Sequence, residues 1–294
     1  PDTLRSGIYA LRLRLSDDNL TMNYCEQTDE EYLPFFVAAP KHSPQSKVAF
    51  ILPTYTYMAY GNNHLGEPDA DFGDSPMMGP GTKAYYTDMI PAHYELGLSA
   101  YDHHLDGSPA HFSSWLRPLL NMRPKTILWT FCADLLFTDW MTVKEIDYDI
   151  ITDDLLQQEG VGLLKQYSVV MSGNHPEYPT TEQLDAIEAY TSQGGRFMYM
   201  GGNGYYWRCA VCKTLPGIIE VRRGRTGTGS WQSEVGESSF AFSGETGGIW
   251  RDIGRPPQRQ FGVGFIAEGG GASYYRLTQN ARRGPAAFVI EGVD

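Results

Sequence analysis

Apolar and polar positions change their period several times along this chain, and each change marks an element. From Tyr167 to Ser172 the run YSVVMS is apolar, rich in valine and too short for a helix, as a buried strand should be. A polar turn follows, Asn174-His175-Pro176-Glu177. Thr180 with Gln183 three residues on makes a capping box. Leu184, Ile187 and Tyr190 then recur at helical spacing, with Glu182, Asp185 and Glu188 between them. Gly194-Gly195 supplies the helix stop, and Arg196–Met200 predicts another buried strand running into Gly201-Gly202-Asn203-Gly204. Strand, helix and strand in this order predict a βαβ unit with a right-handed crossover.

The same reading extends to the rest of the chain. Gly7–Leu15 alternates like an edge strand, and the apolar run Lys47–Leu52 stops at Pro53 as a buried strand would. Residues 54–130 are aromatic and turn-rich with little periodicity, and loops of that length are usually functional or carry small elements of their own. A helix is predicted around Asp134–Lys144, a strand at Tyr148–Ile151 and a second short helix at Asp154–Lys165. Beyond Trp207 the chain turns to Gly, Ser, Thr and Arg, with β-like runs at Ile218–Arg222, Phe261–Ile266 and Ala287–Ile290. The expected architecture is α/β: a three-layer flavodoxin- or glutamine-amidotransferase-like parallel sheet with a β-rich C-terminal extension. Its expected divisions are an N-terminal extension of edge strands (1–46), the α/β core (47–207) with the aromatic insertion at 54–130, and the extension packed on it (208–294).

Composition narrows the partners. A formal charge of −12 over 294 residues repels polyanions, so neither nucleic acid nor an anionic membrane is expected. No apolar run reaches membrane-spanning length and no signal peptide is visible. The four cysteines, Cys25, Cys132, Cys209 and Cys212, form no disulfide framework, which fits a reducing cytoplasm. The chain opens at Pro1 without an initiator methionine and closes at Asp294 straight after a run read as a strand, so a piece of a longer polypeptide is expected.

Several familiar chemistries are missing. There is no GxSxG elbow and no P-loop, and the turns after the predicted strands carry neither Cys nor Ser as a nucleophile. Gly224–Gly229 (GRTGTG) reads as a hairpin turn, and Cys209-Ala-Val-Cys212 is a lone CxxC where zinc needs a second pair. Oxygen and nitrogen groups remain. In open α/β sheets ligands sit beyond the carboxyl ends of the strands, where His175, Glu177 and Asn203 should share one rim. Tyr55, Tyr57 and Tyr60 after the first core strand, and Tyr101-Asp102-His103-His104 with Asp106, are further candidates. Carboxylate and phenolate donors favour a hard cation, ferric iron in particular. Each candidate also has a bland reading: the tyrosines as half-buried packing residues, His103-His104 as a solvated turn, and Glu177 as an acid placed near a helix start.

The segments SGNHPEY, EQLDAIEAY, GGRFMYMGGNGYYW, TYTYMAYGNN, YDHHLDGSPAHFSSWLRPLLNMRP and GRPPQRQFGVGF together resemble the large subunit of the N,N-dimethylformamidase family, over nearly the whole chain. The resemblance implies an amidotransferase-like core and a mononuclear ferric iron (Fe3+) held by two tyrosines and a glutamate. It places the glutamate on Glu177 and the tyrosines on Tyr60 and Tyr101, with Tyr55, Tyr57 and Tyr94 as rivals, and sets His175 and Asn203 in the pocket wall. It further implies an iron-dependent hydrolase of small amides such as N,N-dimethylformamide, giving formate and an amine, together with a small partner subunit and oligomerisation. In that scheme His175 carries a proton to the departing amine and Asn203 donates to the developing oxyanion. The competing readings are a non-catalytic small-molecule or sugar binder on the same scaffold, and a related amidase with a different small substrate.

Overall fold

Apolar runs bounded by turns build a parallel sheet at the centre of the computed structural model, which describes residues 4–14, 30–64, 90–124, 130–224, 233–266, 276–285 and 287–291. In chain order the strands are β1 (Gly7–Arg14), β2 (Glu30–Val37), β3 (Val48–Leu52), β4 (Phe112–Ser114), β5 (Asp149–Thr152), β6 (Val169–Ser172), β7 (Arg196–Met198), β8 (Cys209–Val211) and β9 (Ile218–Val221). The helices are α1 (Thr54–Ala59), α2 (Phe131–Val143), α3 (Asp153–Glu159), α4 (Val161–Leu164), α5 (Thr181–Ser192), α6 (Pro257–Phe261) and α7 (Gln279–Arg283), with 3-10 turns at Pro91–Leu96 and Ala287–Ile290.

Four strands pair in parallel in the order β5-β3-β6-β7, with Ile51 beside both Ile151 and Ser172. Side chains alternate across this sheet, so each face has its own core. Ala49, Ile51, Ile151 and Val170 pack against Leu156 and Leu164 of α3 and α4 and against Leu184 and Ile187 of α5. Phe50, Leu52, Ile150 and Met171 face the other way, onto Phe131 and Met141 of α2 and onto Ile8 and Phe36 of the β1–β2 ribbon. Burial on both faces explains why the runs at β3, β5 and β6 are continuously apolar rather than alternating. Two antiparallel sheets complete the mixed α/β architecture: the β1–β2 ribbon, and β4-β9-β8 beside the sheet's carboxyl end.

The chain leaves β3 toward β5 on one side, and leaves β6 toward β7 on the other. Between the carboxyl ends of β3 and β6 the winding direction therefore reverses, and such a switch point opens a crevice that side chains from both connections can line.

Local expectations met the structure unevenly. The Thr180–Gln183 capping box forms with both reciprocal bonds, and α5 ends at Gly194 with a φ of 90°. The helix expected over Asp154–Lys165 is broken at Gly160, whose φ of 57° turns the chain between α3 and α4. Arg196–Met200 was expected to be a buried strand; β7 instead stops at Met198 and lies at the sheet edge, with Arg196 and Met198 exposed. The aromatic stretch after β3 opens directly with α1, a helix that two β-branched threonines and the lack of a polar face concealed.

The β-rich expectation for the C-terminal part holds for β8 and β9 alone among the described residues. Phe261 ends α6, residues 263–266 form no strand, and Ala287–Ile290 is a 3-10 turn. Val263, Ile266, Phe288 and Val289 are exposed, so their apolar character reflects no burial within the described chain. Cys25, most of Gly224–Gly229 and parts of the 54–130 insertion lie outside the described residues. No helix among the described residues is long and apolar enough to cross a membrane.

Candidate functional site

The crevice between β3 and β6 is built by three segments that local chemistry holds in place. The first is α1, starting straight after Pro53 and buried along its whole length. Thr56 and Tyr60 lie four residues apart, hence on one helical face. Both reach the turn after β6: the Thr56 hydroxyl accepts from the Glu177 N–H at 3.0 Å, and the Tyr60 hydroxyl donates to Glu177 Oε2 at 2.8 Å. The helix ends at Tyr60, whose carbonyl accepts from the side-chain amides of Asn63 and Asn121 at 2.8 and 2.7 Å. Both asparagines of the AYGNN motif thus have a structural task, Asn63 here and Asn62 by donating to the Pro118 carbonyl at 2.8 Å.

The second segment carries Tyr101. Ala100 N–H donates to the carbonyl of Ala59 at 2.9 Å, tying this turn to the end of α1. Asp102, buried behind it, accepts from the N–H groups of Ser99 and His64 at 2.7 and 3.0 Å. Burial alone would raise the Asp102 pKa, but the hydrogen bonds from His64 and Ser99 outweigh it and the carboxyl lies below its usual value. The rings of Tyr60 and Tyr101 stack, with centroids 4.0 Å apart. His103 and His104 point to solvent, and Asp106 accepts from Ser108, so that histidine pair is the solvated turn of the bland reading.

The third segment is the rim turn after β6, clamped to the turn after β7. Gly202 N–H donates to the Asn174 carbonyl at 2.9 Å, and the Tyr206 and Trp207 N–H groups both donate to the carbonyl of Glu177, at 3.2 and 2.9 Å. Gly201 is needed for the contact, since a Cβ there would lie 2.3 Å from the Asn174 carbonyl oxygen. Backbone pairing on both sides leaves the Glu177 carboxylate facing Tyr60 and Tyr101, only 2% exposed.

The result is a cluster of oxygens. Tyr60 bonds Glu177 Oε2, Tyr101 bonds the Tyr60 hydroxyl, and Tyr101 also lies 3.3 Å from Glu177 Oε1. Burial, followed by the neighbouring Glu177 charge, raises the pKa of both phenols, so they keep their protons in this arrangement. The rivals are committed elsewhere. Tyr55 donates to Asp154 at 3.2 Å, Tyr57 donates to Asp134, and Tyr94 is half exposed and stacks on His64. Tyr55, Tyr57 and Tyr60 are all buried, not the half-buried packing residues that base rates favour.

His175 and Asn203 stand on the two clamped turns. The His175 imidazole faces Gly202, where a Cβ would meet its Cε1 at 3.9 Å. Burial lowers its pKa to about 4, so near neutrality it is an uncharged base rather than a group titrating at working pH. Asn203 has a φ of 48°, a left-handed conformation that asparagine tolerates better than most residues.

Two further residues complete the cluster and escaped the sequence reading. Tyr178 donates to the Tyr101 hydroxyl at 2.5 Å, and Arg223 Nη2 donates to the Tyr178 hydroxyl at 2.8 Å. Tyr178 had one available signal, its place beside Glu177. Arg223 had none, because only the pairing of β9 with β4 and β8 carries the chain end of β9 back to this site. Among the described residues, no group of three or more His, Cys, Asp and Glu side chains is placed to hold a metal ion. Cys209 donates from Sγ to the Tyr178 carbonyl at 2.9 Å and Cys212 sits near the surface, both as free thiols.

Comparison with known proteins adds the family context. The model of the family described as "N,N-dimethylformamidase beta subunit-like, C-terminal" matches residues 1–294. The N,N-dimethylformamidase beta subunit of Paracoccus aminophilus is 35% identical over 303 residues, covering 100% of this chain and 38% of that protein. The N,N-dimethylformamidase beta subunit of an Alcaligenes species is 33% identical over the same span and shares. The chain thus spans less than two-fifths of the length of these relatives.

Proposed function

Because the chain belongs to the N,N-dimethylformamidase beta subunit-like family, as its C-terminal part, we propose that it carries the centre of an iron-dependent hydrolase. The reaction class is hydrolysis of small N-substituted formamides to formate and an amine. The observation that carries this reading is the meeting of two phenols and one carboxylate, from three distant segments, at the sheet's switch point. The order β5-β3-β6-β7 also matches the first four strands of a flavodoxin-like sheet, which supports that reading of the core.

The donor set fits the ion. All three are hard oxygen donors, the class suited to a hard cation. The three groups already meet by their oxygens, with Glu177 2.8 and 3.3 Å from the Tyr60 and Tyr101 hydroxyls. Tyr60, Tyr101 and Glu177 would hold the ion, and a cation among them would replace the two phenol protons. When bound, a ferric ion supplies Lewis acidity toward an amide oxygen and toward water.

The chain's own residues provide the rest. The rings of Tyr60, Tyr101, Tyr178 and Trp207 form an apolar wall around the oxygens, suited to a small uncharged amide. His175, held neutral by burial, accepts the proton that water loses on attacking the carbonyl carbon and passes it to the departing nitrogen. Asn203 donates its side-chain amide to the oxygen that gains charge, a contact typically worth about 3 kcal/mol of barrier. The relatives are named as beta subunits, which supports assembly with a second kind of subunit.

Elemental analysis combined with formate release tests the reading. One iron per chain, a visible phenolate charge-transfer band, and joint loss of iron, colour and formate production in Glu177→Ala are expected. A metal-free, colourless protein that binds a small ligand tightly without turning it over would replace the hydrolase with a binding protein.

A further inference from the structure

Arg223 is 2% exposed, two residues past the end of β9, and its guanidinium packs among the rings of Tyr101, Tyr178 and Trp207. Nη1 donates to the carbonyl of Ala100, the residue before Tyr101, at 2.5 Å. Nη2 donates to the Tyr178 hydroxyl at 2.8 Å. The guanidinium carbon lies 4.5 Å from the centroid of the Tyr101 ring, against its face. Tyr101 is thus approached through its backbone, its ring and its hydroxyl partner by a single cation.

The direction of the hydrogen bonds follows from what each group can do. Arginine only donates. Tyr178 therefore accepts from Arg223 and points its own proton at the Tyr101 oxygen, 2.5 Å away. Tyr101 donates onward to Tyr60, and Tyr60 to Glu177. Tyr178 cannot drift from this role, because its backbone adjoins Glu177 and its carbonyl accepts from Cys209 Sγ. Its ring stands nearly perpendicular to that of Tyr101, at 89°, with the two hydroxyls in contact.

We propose that Tyr178 and Arg223 are a positioning pair that orients the Tyr101 oxygen and makes the two tyrosine ligands electronically unequal. The inference rests on the metal reading above and deepens it. A donor held on one phenolate oxygen withdraws electron density from it, so Tyr101 is the weaker electron donor of the two. Outer partners of this kind set the orientation of metal-binding groups, and their removal typically lowers metal affinity by about 10–100-fold.

The test uses the iron-loaded protein as purified, with visible absorption and iron-binding titration against a competing chelator. Tyr178→Phe deletes the hydroxyl and keeps the ring. Its charge-transfer band should move to longer wavelength and its iron affinity fall by about 10–100-fold, while the metal-free form melts within a few degrees of wild type. Arg223→Lys keeps the charge but lacks the fork that reaches Ala100 and Tyr178 together, so it should shift the band the same way by less. The double variant should go no further than Tyr178→Phe. A Tyr178→Phe protein with the wild-type band and wild-type affinity overturns the pairing while leaving the metal centre standing. A wild-type protein that takes up no iron overturns the metal reading and the pairing with it.

Discussion

Replacing Gly201 by alanine is the most direct test of how the site is assembled. Neither Gly201 nor Gly202 has a positive φ, so alanine costs no backbone strain at either position. The steric cost differs sharply. A Cβ at Gly201 would fall 2.3 Å from the Asn174 carbonyl oxygen, 2.7 Å from its carbon and 2.8 Å from Pro176 Cδ. At Gly202 the nearest atom is His175 Cε1, at 3.9 Å. Since nonbonded atoms settle near 3.5 Å, the two rim turns must part by about 1 Å to admit the Gly201 methyl. That opens the 2.9 Å Gly202–Asn174 hydrogen bond beyond its useful range. Overpacking costs about 1–3 kcal/mol and the lost bond about 1 kcal/mol, so Gly201→Ala should destabilise the protein by roughly 2–4 kcal/mol. The movement displaces the turn that presents Glu177, and a misplacement of about 1 Å typically costs about 10²-fold in rate. Chemical denaturation and formate release, with Gly202→Ala as the neutral neighbour, measure both effects. If Gly201→Ala matched Gly202→Ala in stability and turnover, the clamped turns would not be what places Glu177.

Other outcomes follow from where each phenol and carboxyl is spent. Tyr60→Phe and Tyr101→Phe should lose the visible band, whereas Tyr55→Phe and Tyr57→Phe should keep it, because those hydroxyls serve Asp154 and Asp134; absorption spectra of the four variants decide this. Burial pushes the Asp134 carboxyl up to about 7, against donors from Tyr57 and Asn174 that pull it down. A folded-state pKa above the unfolded value means that the native state holds the extra proton, so this group's contribution to stability falls as pH rises from about 4 to about 7 and is level above that. Asp134→Asn removes that dependence, so its stability relative to wild type should rise by about 4 kcal/mol over the same window in urea titrations at fixed pH. Thr180→Ala removes the hydroxyl that accepts from the Gln183 N–H at 3.2 Å and should cost about 1 kcal/mol in the same assay, with Thr180→Ser recovering most of it.

Elements whose residues meet only near neighbours were legible from pattern. The capping box at Thr180 and Gln183, the glycine stop of α5 and the apolar runs of β3, β5 and β6 depend on backbone groups a few residues away or on burial on both faces, and both leave a mark in sequence order. Elements that need a distant partner were not. GVGFI and AFVI carry apolar side chains like strands but pair with nothing in the described chain, and α1 hid because every one of its six residues is buried.

The site divides along the same line. Composition and motif alone supplied the oxygen-donor chemistry and pointed to Glu177 on a rim turn, since a carboxylate after a strand of an open α/β sheet has few other places to go. Motif resemblance named Tyr60 and Tyr101 but left five tyrosines competing. Tertiary structure gives the described phenols different partners, which sequence order could not: Asp154 for Tyr55, Asp134 for Tyr57, Glu177 for Tyr60 and Tyr101. It also delivered Tyr178 and Arg223, 45 residues apart in sequence and hydrogen-bonded in space. Local order along a chain encodes short-range hydrogen bonds and burial, whereas the convergence of charges from separate strands exists only once the sheet has closed.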